Sequence, residues 1–206
     1  MQQDIEIIPL LLLKGRSTLF REFSKKQLSA LSKNLRKMNF EKLYIMDIDG
    51  LERNRPQLDI VQVLCDDFSI LYEAGPRRGA NIIDMVIAGA EIAYMNTDSL
   101  EALDEIEIAL SYTESVGLKI DWNNGMLGHG KGIENHSMDE VISSAVSAGL
   151  KDFVVPIEII AQAAIAMKDD SVVLRGIADR SGDEKIRNER MSSIIINHEY
   201  IKKVKK

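Results

Sequence analysis

Short apolar runs alternate along this chain with longer amphipathic stretches, and this alternation constrains the fold more than any other feature. Strands that are joined through helices pair in parallel, because a parallel neighbour can be reached only by a long crossover connection. The alternation therefore predicts an α/β fold built on a parallel sheet. The eight runs predicted to be strands are 6–13, 42–47, 69–73, 91–95, 117–121, 152–156, 171–176 and 192–197.

The two halves of the chain carry matching residues. Gly75 and Gly176 each follow an apolar run, and 21 residues after each glycine an asparagine, Asn96 or Asn197, follows another such run. The halves are in register with an offset of 101 residues, which indicates a duplicated half-fold. A strand–helix unit that repeats in two halves predicts a closed (β/α)₈ barrel, or TIM barrel. The functional residues of such a barrel lie just past the carboxyl ends of its strands.

The length favours a minimal version of this barrel. A barrel of this kind takes about 250 residues, so a chain of 206 residues has room only for short loops. We predict one domain over residues 1–206, with Ser24, Asp98 and Ser137 as helix N-caps. The predicted helices are 25–38, one that begins at Pro56, 81–88, 100–115, 138–148, 158–167, 183–189 and 199–205.

Composition argues against several classes of function. The net charge of −6 and the pI near 5.2 argue against binding to nucleic acid or to an anionic membrane, since both need a basic surface. No apolar run approaches the length of a membrane span. The single cysteine, Cys65, cannot form an intramolecular disulfide, which favours the reducing cytoplasm. His129, His136 and His198 lack the spacing of metal ligands, so we predict no metal site and no cofactor.

Three acidic residues at predicted strand ends are candidates for proton transfer. Asp47 ends the second strand, Glu73 the third and Asp121 the fifth. A period of two places Asp47 and Asp49 on one face, where two carboxylates can share a proton, bind a metal or hold a ligand ammonium group. Each residue also has a structural alternative, because a carboxylate in these places can cap a turn or pair with a neighbouring arginine.

Positive charge gathers at the same predicted face. Arg77, Arg78 and Arg175 lie at or just after strand ends. A small anionic ligand, such as a phosphate held by parallel hydrogen bonds, would account for these arginines. The alternative is that they form ion pairs with Glu73, Asp98 and Asp179.

One irregular segment, 122–137, is longer than the other loops and contains three glycines around His129 and Lys131. Loops of this length in a small domain tend to be functional or disordered. The segment is interpreted either as a mobile lid with a cationic tip or as a plain flexible loop.

Several runs resemble the HisA/HisF barrels of histidine biosynthesis. The run 8–14, Ile-Pro-Leu-Leu-Leu-Leu-Lys, resembles their first strand, Ile-Pro-x-Leu-Asp-Leu-Lys. The run 44–50, Tyr-Ile-Met-Asp-Ile-Asp-Gly, resembles their second strand and its Val-Asp-Leu-Asp-Gly ending. Residues 73–77 stand where the family has Gly-Gly-Gly-Ile-Arg, and 88–97 where it has Ala-Gly-Ala-Asp, a strand and Gly-Thr. Residues 118–121 match the fifth strand, which ends in a catalytic aspartate. The resemblance covers nearly the whole chain and is weakest after Gly149.

The resemblance implies an enzyme of isomerase or lyase type that acts by acid–base catalysis on a phosphorylated, sugar-like or amino-sugar metabolite. The family uses two aspartates, after the first and fifth strands. The fifth-strand position is Asp121 here, and the first-strand position is Leu12. Asp47 and Glu73 are the further carboxylates that we consider for catalysis. The residues implied to hold the substrate or its phosphate are Arg77, Asn96, Thr97, Arg175, Gly176 and Asn197.

The departures from the family pattern keep a second class of function open. Leu12 replaces one proton-transfer residue, and Asn96 and Asn197 replace two phosphate-binding glycines. The alternative is therefore a catalytically degenerate barrel that serves as a small-molecule-binding or assembly subunit. Short helices in the second half also favour a homodimer, because dimerisation covers exposed apolar surface.

Overall fold

The strands form a closed ring. The computed structural model describes residues 5–15, 17–18, 21–22, 25–128, 130–168, 171–178, 188–198 and 201. Eight strands pair in parallel in chain order, and the last pairs with the first, with Ile8 beside Ile195 and Leu10 beside Asn197. This confirms the predicted α/β barrel of eight parallel strands.

Helices connect the strands on the outside of the ring. Two short strands, β2 (Ser17–Thr18) and β3 (Arg21–Glu22), form an antiparallel extension at the end of β1. The barrel strands are β1 (Glu6–Lys14), β4 (Lys42–Asp47), β5 (Ser69–Glu73), β6 (Ala90–Asn96), β7 (Val116–Lys119), β8 (Asp152–Pro156), β9 (Val173–Ala178) and β10 (Met191–Asn197). The α-helices are α1 (Lys25–Lys37), α2 (Ile48–Arg53), α3 (Leu58–Leu64), α4 (Ile82–Ile87), α5 (Glu105–Tyr112), α6 (Met138–Ser147) and α7 (Ile160–Ala166).

Side chains alternate along each strand between two apolar layers. On β4, Leu43 and Ile45 pack outward against the helices, whereas Tyr44 packs inside the ring. Gly117 leaves space for an interior ring, because a Cβ atom there would lie only 2.4 Å from Cε1 of Tyr94. The barrel interior is thus a packed core, and a ligand site can form only at one of its ends. The interior apolar residues are Ile8, Leu10, Tyr44, Leu71, Tyr94, Val154, Ile177 and Ile195.

Two of the predicted carboxyl ends of strands are wrong by two residues, and those of β1 and β6 by one. β7 ends at Lys119, two residues before the predicted end at Asp121. β9 extends to Ala178, two residues beyond the predicted end at Gly176. The second difference moves the neighbourhood of Arg175 away from the strand end and into the ring.

Of the predicted helix caps, one is confirmed and one is wrong. Ser137 caps α6 as predicted, because its hydroxyl accepts the backbone N–H of Glu140. Asp98 does not cap a helix, since α5 begins only at Glu105. The residues between Asp98 and Glu105 form a turn, which is held in place by a hydrogen bond from the Leu103 N–H to the Lys131 carbonyl.

Other parts of the helix prediction need correction or cannot be placed. The helix predicted from Pro56 begins at Leu58 as α3, and the preceding helix α2 was not predicted. Ser24 and most of the predicted helices 183–189 and 199–205 lie outside the described residues. Within the described ranges, no helix combines the length and apolarity needed to cross a bilayer.

The predicted half-barrel repeat is not confirmed. Asn96 and Asn197 both end barrel strands, as the repeat requires. The two glycines that define the repeat are not equivalent: Gly75 follows β5 with φ of +61°, whereas Gly176 lies within β9. A repeat in sequence spacing is therefore not matched by the same local structure at both positions.

Candidate functional site

A polar cluster occupies the carboxyl end of the barrel, which we call the mouth. Its members come from four consecutive strands of the ring, β4 to β7, and from the residues just past β7. Their side chains face into the barrel at the end of its packed apolar interior, so their polar contacts are mostly with one another. We call the set Tyr44, Glu73, Asn96, Lys119 and Asp121 the mouth cluster.

Glu73 is the buried centre of the mouth cluster. Its side chain has no exposed surface. One carboxylate oxygen accepts the Tyr44 hydroxyl at 2.8 Å, and the other accepts the Asn96 amide at 2.7 Å. Burial, followed by the charge of Glu73, raises the pKa of Tyr44 well above its ordinary value, so Tyr44 remains a neutral hydrogen-bond donor. The predicted pairing of Glu73 with Arg77 or Arg78 is not what the structure shows.

Lys119 joins Glu73 to Asp121. Its ammonium nitrogen lies 2.9 Å from Oε1 of Glu73 and 2.6 Å from Oδ1 of Asp121. Burial lowers the pKa of Lys119, but the charges of Glu73 and Asp121 outweigh burial, and the net result is a raised pKa. In the resting protein Lys119 is therefore a cation at neutral pH, held between two carboxylates.

Asp121 is positioned by the loop that follows β6. Its backbone N–H donates to the Thr97 hydroxyl at 2.9 Å, and its Oδ2 accepts the Asp98 backbone N–H at 3.1 Å. Thr97 has no exposed surface, so it supports Asp121 and does not offer its hydroxyl to solvent. Asp121 keeps 14% of its side chain exposed and Lys119 keeps 12%, which leaves both within reach of a ligand.

Asn96 carries an unsatisfied acceptor. Its amide nitrogen donates to Glu73, whereas its carbonyl oxygen has no hydrogen-bond donor among the described residues. Asn96 is only 1% exposed. A buried acceptor without a partner costs about 1–3 kcal/mol, so this atom marks a place where a donor from outside the chain would be favourable.

The opposite wall of the mouth is apolar apart from Asn197. Leu12 and Met46 lie side by side on β1 and β4, and both are partly buried against the interior layer. β1 is four strands away from β7 around the ring, so Leu12 lies across the barrel from Lys119. Asn197 ends β10 beside β1 and is half-buried. A ligand at the mouth therefore has one polar and one apolar side.

Arg77 lies at the mouth end of the barrel, in the loop after β5. Its carbonyl accepts the Glu101 backbone N–H at 2.9 Å, which fixes the backbone of the loop. Within the described part of the chain, its guanidinium makes no hydrogen bond or ion pair. The neighbouring Arg78 pairs with Glu101 at the surface, with 2.8 Å between Nε and Oε2. Of the two arginines, only Arg77 keeps its charge available at this end.

Arg175 does not lie at the mouth, contrary to the prediction. It lies three residues before the end of β9 and pairs with Asp152 at the amino end of the barrel, at 2.7 Å between Nη2 and Oδ2 and 3.0 Å between Nε and Oδ1. Tyr94 donates to Asp152 at 2.6 Å, and Arg175 donates to Ser193 at 3.0 Å. We call these four residues the floor cluster. Their groups satisfy one another, so Arg175 is not available to an anion.

Gly176 is also not part of the mouth. It lies in the middle of β9 with its α-carbon facing the helices, where a Cβ atom would meet Ile157 at 2.5 Å and Met191 at 2.8 Å. This glycine permits close packing of α7 and its preceding turn on the strand. The prediction that this glycine ends a strand, as a phosphate-binding turn would require, is wrong because the strand continues past it to Ala178.

Asp47 faces outward, toward the helices, and not into the mouth. Its side chain caps α2 by accepting the N–H groups of Asp49 and Gly50, and it also accepts the Tyr72 hydroxyl at 2.7 Å. Gln57 adds a backbone and an amide hydrogen bond, at 2.5 and 3.3 Å. With both oxygens saturated and no exposed surface, Asp47 holds the β4–α2 connection together and is not available to a ligand.

The long loop 122–137 is docked rather than open. The Lys131 N–H donates to the Glu101 carbonyl at 2.8 Å, and the Lys131 carbonyl accepts the Leu103 N–H. Gly130 allows this approach, because a Cβ atom there would lie 2.1 Å from the Leu100 carbonyl oxygen. His129 lies outside the described residues. The loop thus packs on the β6–α5 loop that also positions Asp121.

Sequence reasoning missed two members of the mouth cluster, Lys119 and Tyr44. The signal for Lys119 was present, since a period of two places it on the same face as Asp121. Tyr44 shares its face with Met46 for the same reason. A lysine and a tyrosine inside a strand look like ordinary surface and core residues until the partner Glu73 is placed beside them.

Comparisons with known proteins do not assign the chain to a family. No protein-family model matches the sequence, and no curated protein matches it significantly. Among the residues that the structure describes, no group of three or more His, Cys, Asp or Glu side chains is arranged to hold a metal ion. The arguments for function therefore come from the mouth cluster itself.

Proposed function

We propose that this protein is an enzyme that transfers protons on a small metabolite bound at the mouth of the barrel, in a reaction of the isomerase or lyase kind. One observation carries the proposal: the ammonium of Lys119 lies within hydrogen-bond distance of both Glu73 and Asp121 at the carboxyl end of a closed barrel. A charged group that is buried and yet reachable at this end is characteristic of a functional site.

Asp121 is the residue that would move the proton. Its carboxylate is partly exposed and oriented by two donors, Lys119 and the Asp98 backbone. Acting as a base, it would remove a proton from a carbon next to a carbonyl group; acting as an acid, it would return the proton elsewhere on the ligand. The Lys119 ammonium would stabilise the negative charge that develops on the neighbouring oxygen.

A relationship to the HisA/HisF barrels is part of the proposal. It is supported by the closed barrel and by the place of Asp121 just past the fifth barrel strand. The family's first aspartate corresponds to Leu12, so its two-aspartate reaction cannot proceed unchanged. Lys119 and Glu73 are the groups that would take over the role of the missing first-strand aspartate. Lys119 contacts Asp121 directly, and Glu73 contacts Lys119.

The support for an anionic ligand is narrower than the sequence suggested. Arg175 and Gly176 lie away from the mouth, and of the arginines predicted to bind the anion, Arg77 is the one that the structure places at that end. The mouth cluster itself has two carboxylates and one ammonium group, which gives a formal charge of −1. A phosphate on the ligand would therefore bind at the rim beside Arg77, with the reacting part of the ligand deeper, beside Lys119.

Exchange of hydrogen with the solvent tests the proposed reaction without knowledge of the substrate. The protein is incubated in deuterium oxide with a panel of sugar phosphates, amino sugars and a cell metabolite extract, and mass spectrometry reports which compounds gain deuterium. We expect at least one compound to be labelled by the wild type, and labelling to fall by about 100-fold in Asp121→Asn, since a positioned acid–base group contributes that much or more.

Asp66→Asn, which changes an exposed carboxylate after α3, is the matched control and should label like the wild type. Failure of the wild type to label any compound, or equal labelling by Asp121→Asn, would contradict proton transfer by Asp121. Thermal stabilisation by one of the same compounds without any labelling would instead support the alternative of a binding subunit.

A further inference from the structure

The geometry points to a second activity of Lys119: we propose that its side-chain nitrogen forms a covalent iminium with a ligand aldehyde or ketone. This inference rests on the proposed function, because the carbonyl ligand is the one on which Asp121 acts. It goes further in naming a nucleophile and a ligand class. The structural basis is the contact of Nζ with two carboxylates, together with the 12% of the Lys119 side chain that remains exposed.

The charge of the site fits an iminium as well as it fits the resting ammonium. Glu73 and Asp121 lie within 2.9 Å of Nζ and stabilise a positive charge at that nitrogen, whichever group carries it. An iminium places one positive charge at the same atom. The raised pKa of Lys119 reflects this preference of the site for a cation. Condensation therefore leaves the formal charge of the mouth cluster unchanged.

The step balances without a further reactant. The Lys119 ammonium first gives one proton to Asp121, at 2.6 Å, and the free amine then forms a bond to the carbonyl carbon. The carbon–oxygen bond breaks as Asp121 returns its proton, and the oxygen leaves as water with two of the three original ammonium hydrogens. The third hydrogen stays on the iminium nitrogen. The iminium then withdraws electrons from the adjacent carbon, from which a base removes a proton.

Asn96 indicates a further feature of the ligand. Its amide nitrogen and Nζ of Lys119 contact the same oxygen of Glu73, at 2.7 and 2.9 Å, so the Asn96 side chain lies next to the reacting nitrogen. Its carbonyl oxygen is buried and has no donor in the described part of the chain. A hydroxyl group beside the ligand carbonyl would supply that donor. The expected class is therefore a hydroxyaldehyde or hydroxyketone.

Borohydride trapping tests the covalent step. The wild type is mixed with glycolaldehyde and sodium cyanoborohydride at neutral pH, digested, and analysed by peptide mass spectrometry. Reduction of the iminium leaves one hydroxyethyl group on the lysine nitrogen. The raised pKa of Lys119 lowers its free-amine population relative to that of exposed lysines, but acid–base assistance by Asp121, worth about 100-fold to 10,000-fold, outweighs this effect. We therefore expect Lys119 to be modified about tenfold faster than the exposed Lys33 and Lys131, which lack this assistance and serve as internal controls in the same digest. Modification of Lys119 no faster than theirs would overturn the proposal.

A second aldehyde and one variant sharpen the result. Acetaldehyde has no hydroxyl group, so its rate at Lys119, relative to Lys131, should be lower than that of glycolaldehyde; an equal ratio would overturn the assignment of a hydroxyl donor. Lys119→Arg keeps the cation but cannot condense. Deuterium exchange that persists in Lys119→Arg, with no trapping in the wild type, would overturn the iminium and leave proton transfer by Asp121 standing. Trapping at Lys119 without any exchange activity would support the iminium while contradicting the proposed reaction.

Discussion

At the scale of single residues, two tyrosines inside the ring link the mouth cluster to the floor cluster. The rings of Tyr44 and Tyr94 lie in contact inside the ring, with centroids 5.5 Å apart. Their hydroxyls point to different clusters: Tyr44 donates to Glu73 at the mouth, and Tyr94 donates to Asp152 at the floor. Each hydroxyl satisfies a buried carboxylate, so each tyrosine must stay protonated.

This requirement predicts a loss of stability at alkaline pH. The pKa of Tyr44 is raised by burial and by Glu73, so above pH 10 the folded protein keeps a proton that the unfolded chain releases. The free energy of unfolding should therefore fall as the pH rises above about 10. Because one proton corresponds to about 1.4 kcal/mol per pH unit, Tyr44→Phe should reduce this slope by about that amount.

Urea unfolding at several pH values between about 8 and 11 measures the slope. Tyr112→Phe is the control, since Tyr112 is 56% exposed and its loss should leave the slope unchanged. An unfolding free energy of the wild type that does not vary across this range, or an unchanged slope in Tyr44→Phe, would mean that the Tyr44 hydroxyl is not buried against Glu73.

At the scale of elements, the end of β4 shows how one carboxylate fixes a connection. Asp47 caps α2, and it also receives the Gln57 N–H just before α3 and the Tyr72 hydroxyl from β5. A single side chain thus joins two strands and two helices. This explains why an aspartate at a strand end can be essential to the fold and yet contact no ligand.

Replacement of Asp47 should therefore be costly for stability. Asp47→Ala removes an N-cap, worth about 0.5–2 kcal/mol, and leaves several buried donors unsatisfied at about 1–3 kcal/mol each, so we expect a loss of at least about 3 kcal/mol. Chemical unfolding measures it. Asp66→Ala, at an exposed position, should change stability by less than about 0.5 kcal/mol. A loss below about 1 kcal/mol in Asp47→Ala would contradict the capping role.

The sequence was informative about the strands and less so about their ends. A period of two and the parallel ring predicted correctly that Glu73, Asn96 and Asp121 would meet at one end. The sequence pattern did not place Arg175 correctly, because the apolar run around this residue allows more than one strand end. At about 3.3 Å per residue, the three residues between Arg175 and the end of β9 move it roughly 10 Å from the mouth. Only the partner Asp152 on the neighbouring strand fixes its position.

The same limit applies to helices and caps. Ser137 was predicted correctly because a serine followed by a glutamate three residues later is a local signal. Asp47 was assigned to catalysis because helix α2, which it caps, has too few residues to show a periodic pattern. Lys119 was missed because its importance comes from Glu73, two strands away. Local signals were therefore read correctly at Ser137 but not at Asp98, which caps no helix, and pairings across strands needed the three-dimensional arrangement.

At the scale of the whole molecule, the two ends of the barrel differ in how completely their polar groups are paired. The floor cluster pairs Arg175 with Asp152 and leaves neither charge available. The mouth cluster instead combines two carboxylates with one ammonium group and an unsatisfied amide oxygen. The apolar layer around Tyr44 and Tyr94 lies between them. The proposed ligand chemistry is therefore assigned to the mouth, where the loops after β5, β6 and β7 meet.

The central claim is that Lys119 and Glu73, on strands separated by β6, form an ion pair inside the closed ring. A double-mutant cycle of Glu73→Gln and Lys119→Met, followed by urea unfolding, tests it most directly. Lys119→Met leaves the buried charge of Glu73 without a cation and should lose about 3–5 kcal/mol. Glu73→Gln leaves Lys119 paired with Asp121 and should lose less. The double variant should lose much less than the sum, which corresponds to a coupling of about 2 kcal/mol or more.

The exposed pair of Lys42 and Glu6, at 3.0 Å, provides the matched control and should show a coupling below about 1 kcal/mol. A large coupling between Glu73 and Lys119, with a small one in the control, is the result that the account predicts. Losses for Glu73→Gln and Lys119→Met that add within about 0.5 kcal/mol would show that the two side chains do not meet, and would contradict the account of the mouth.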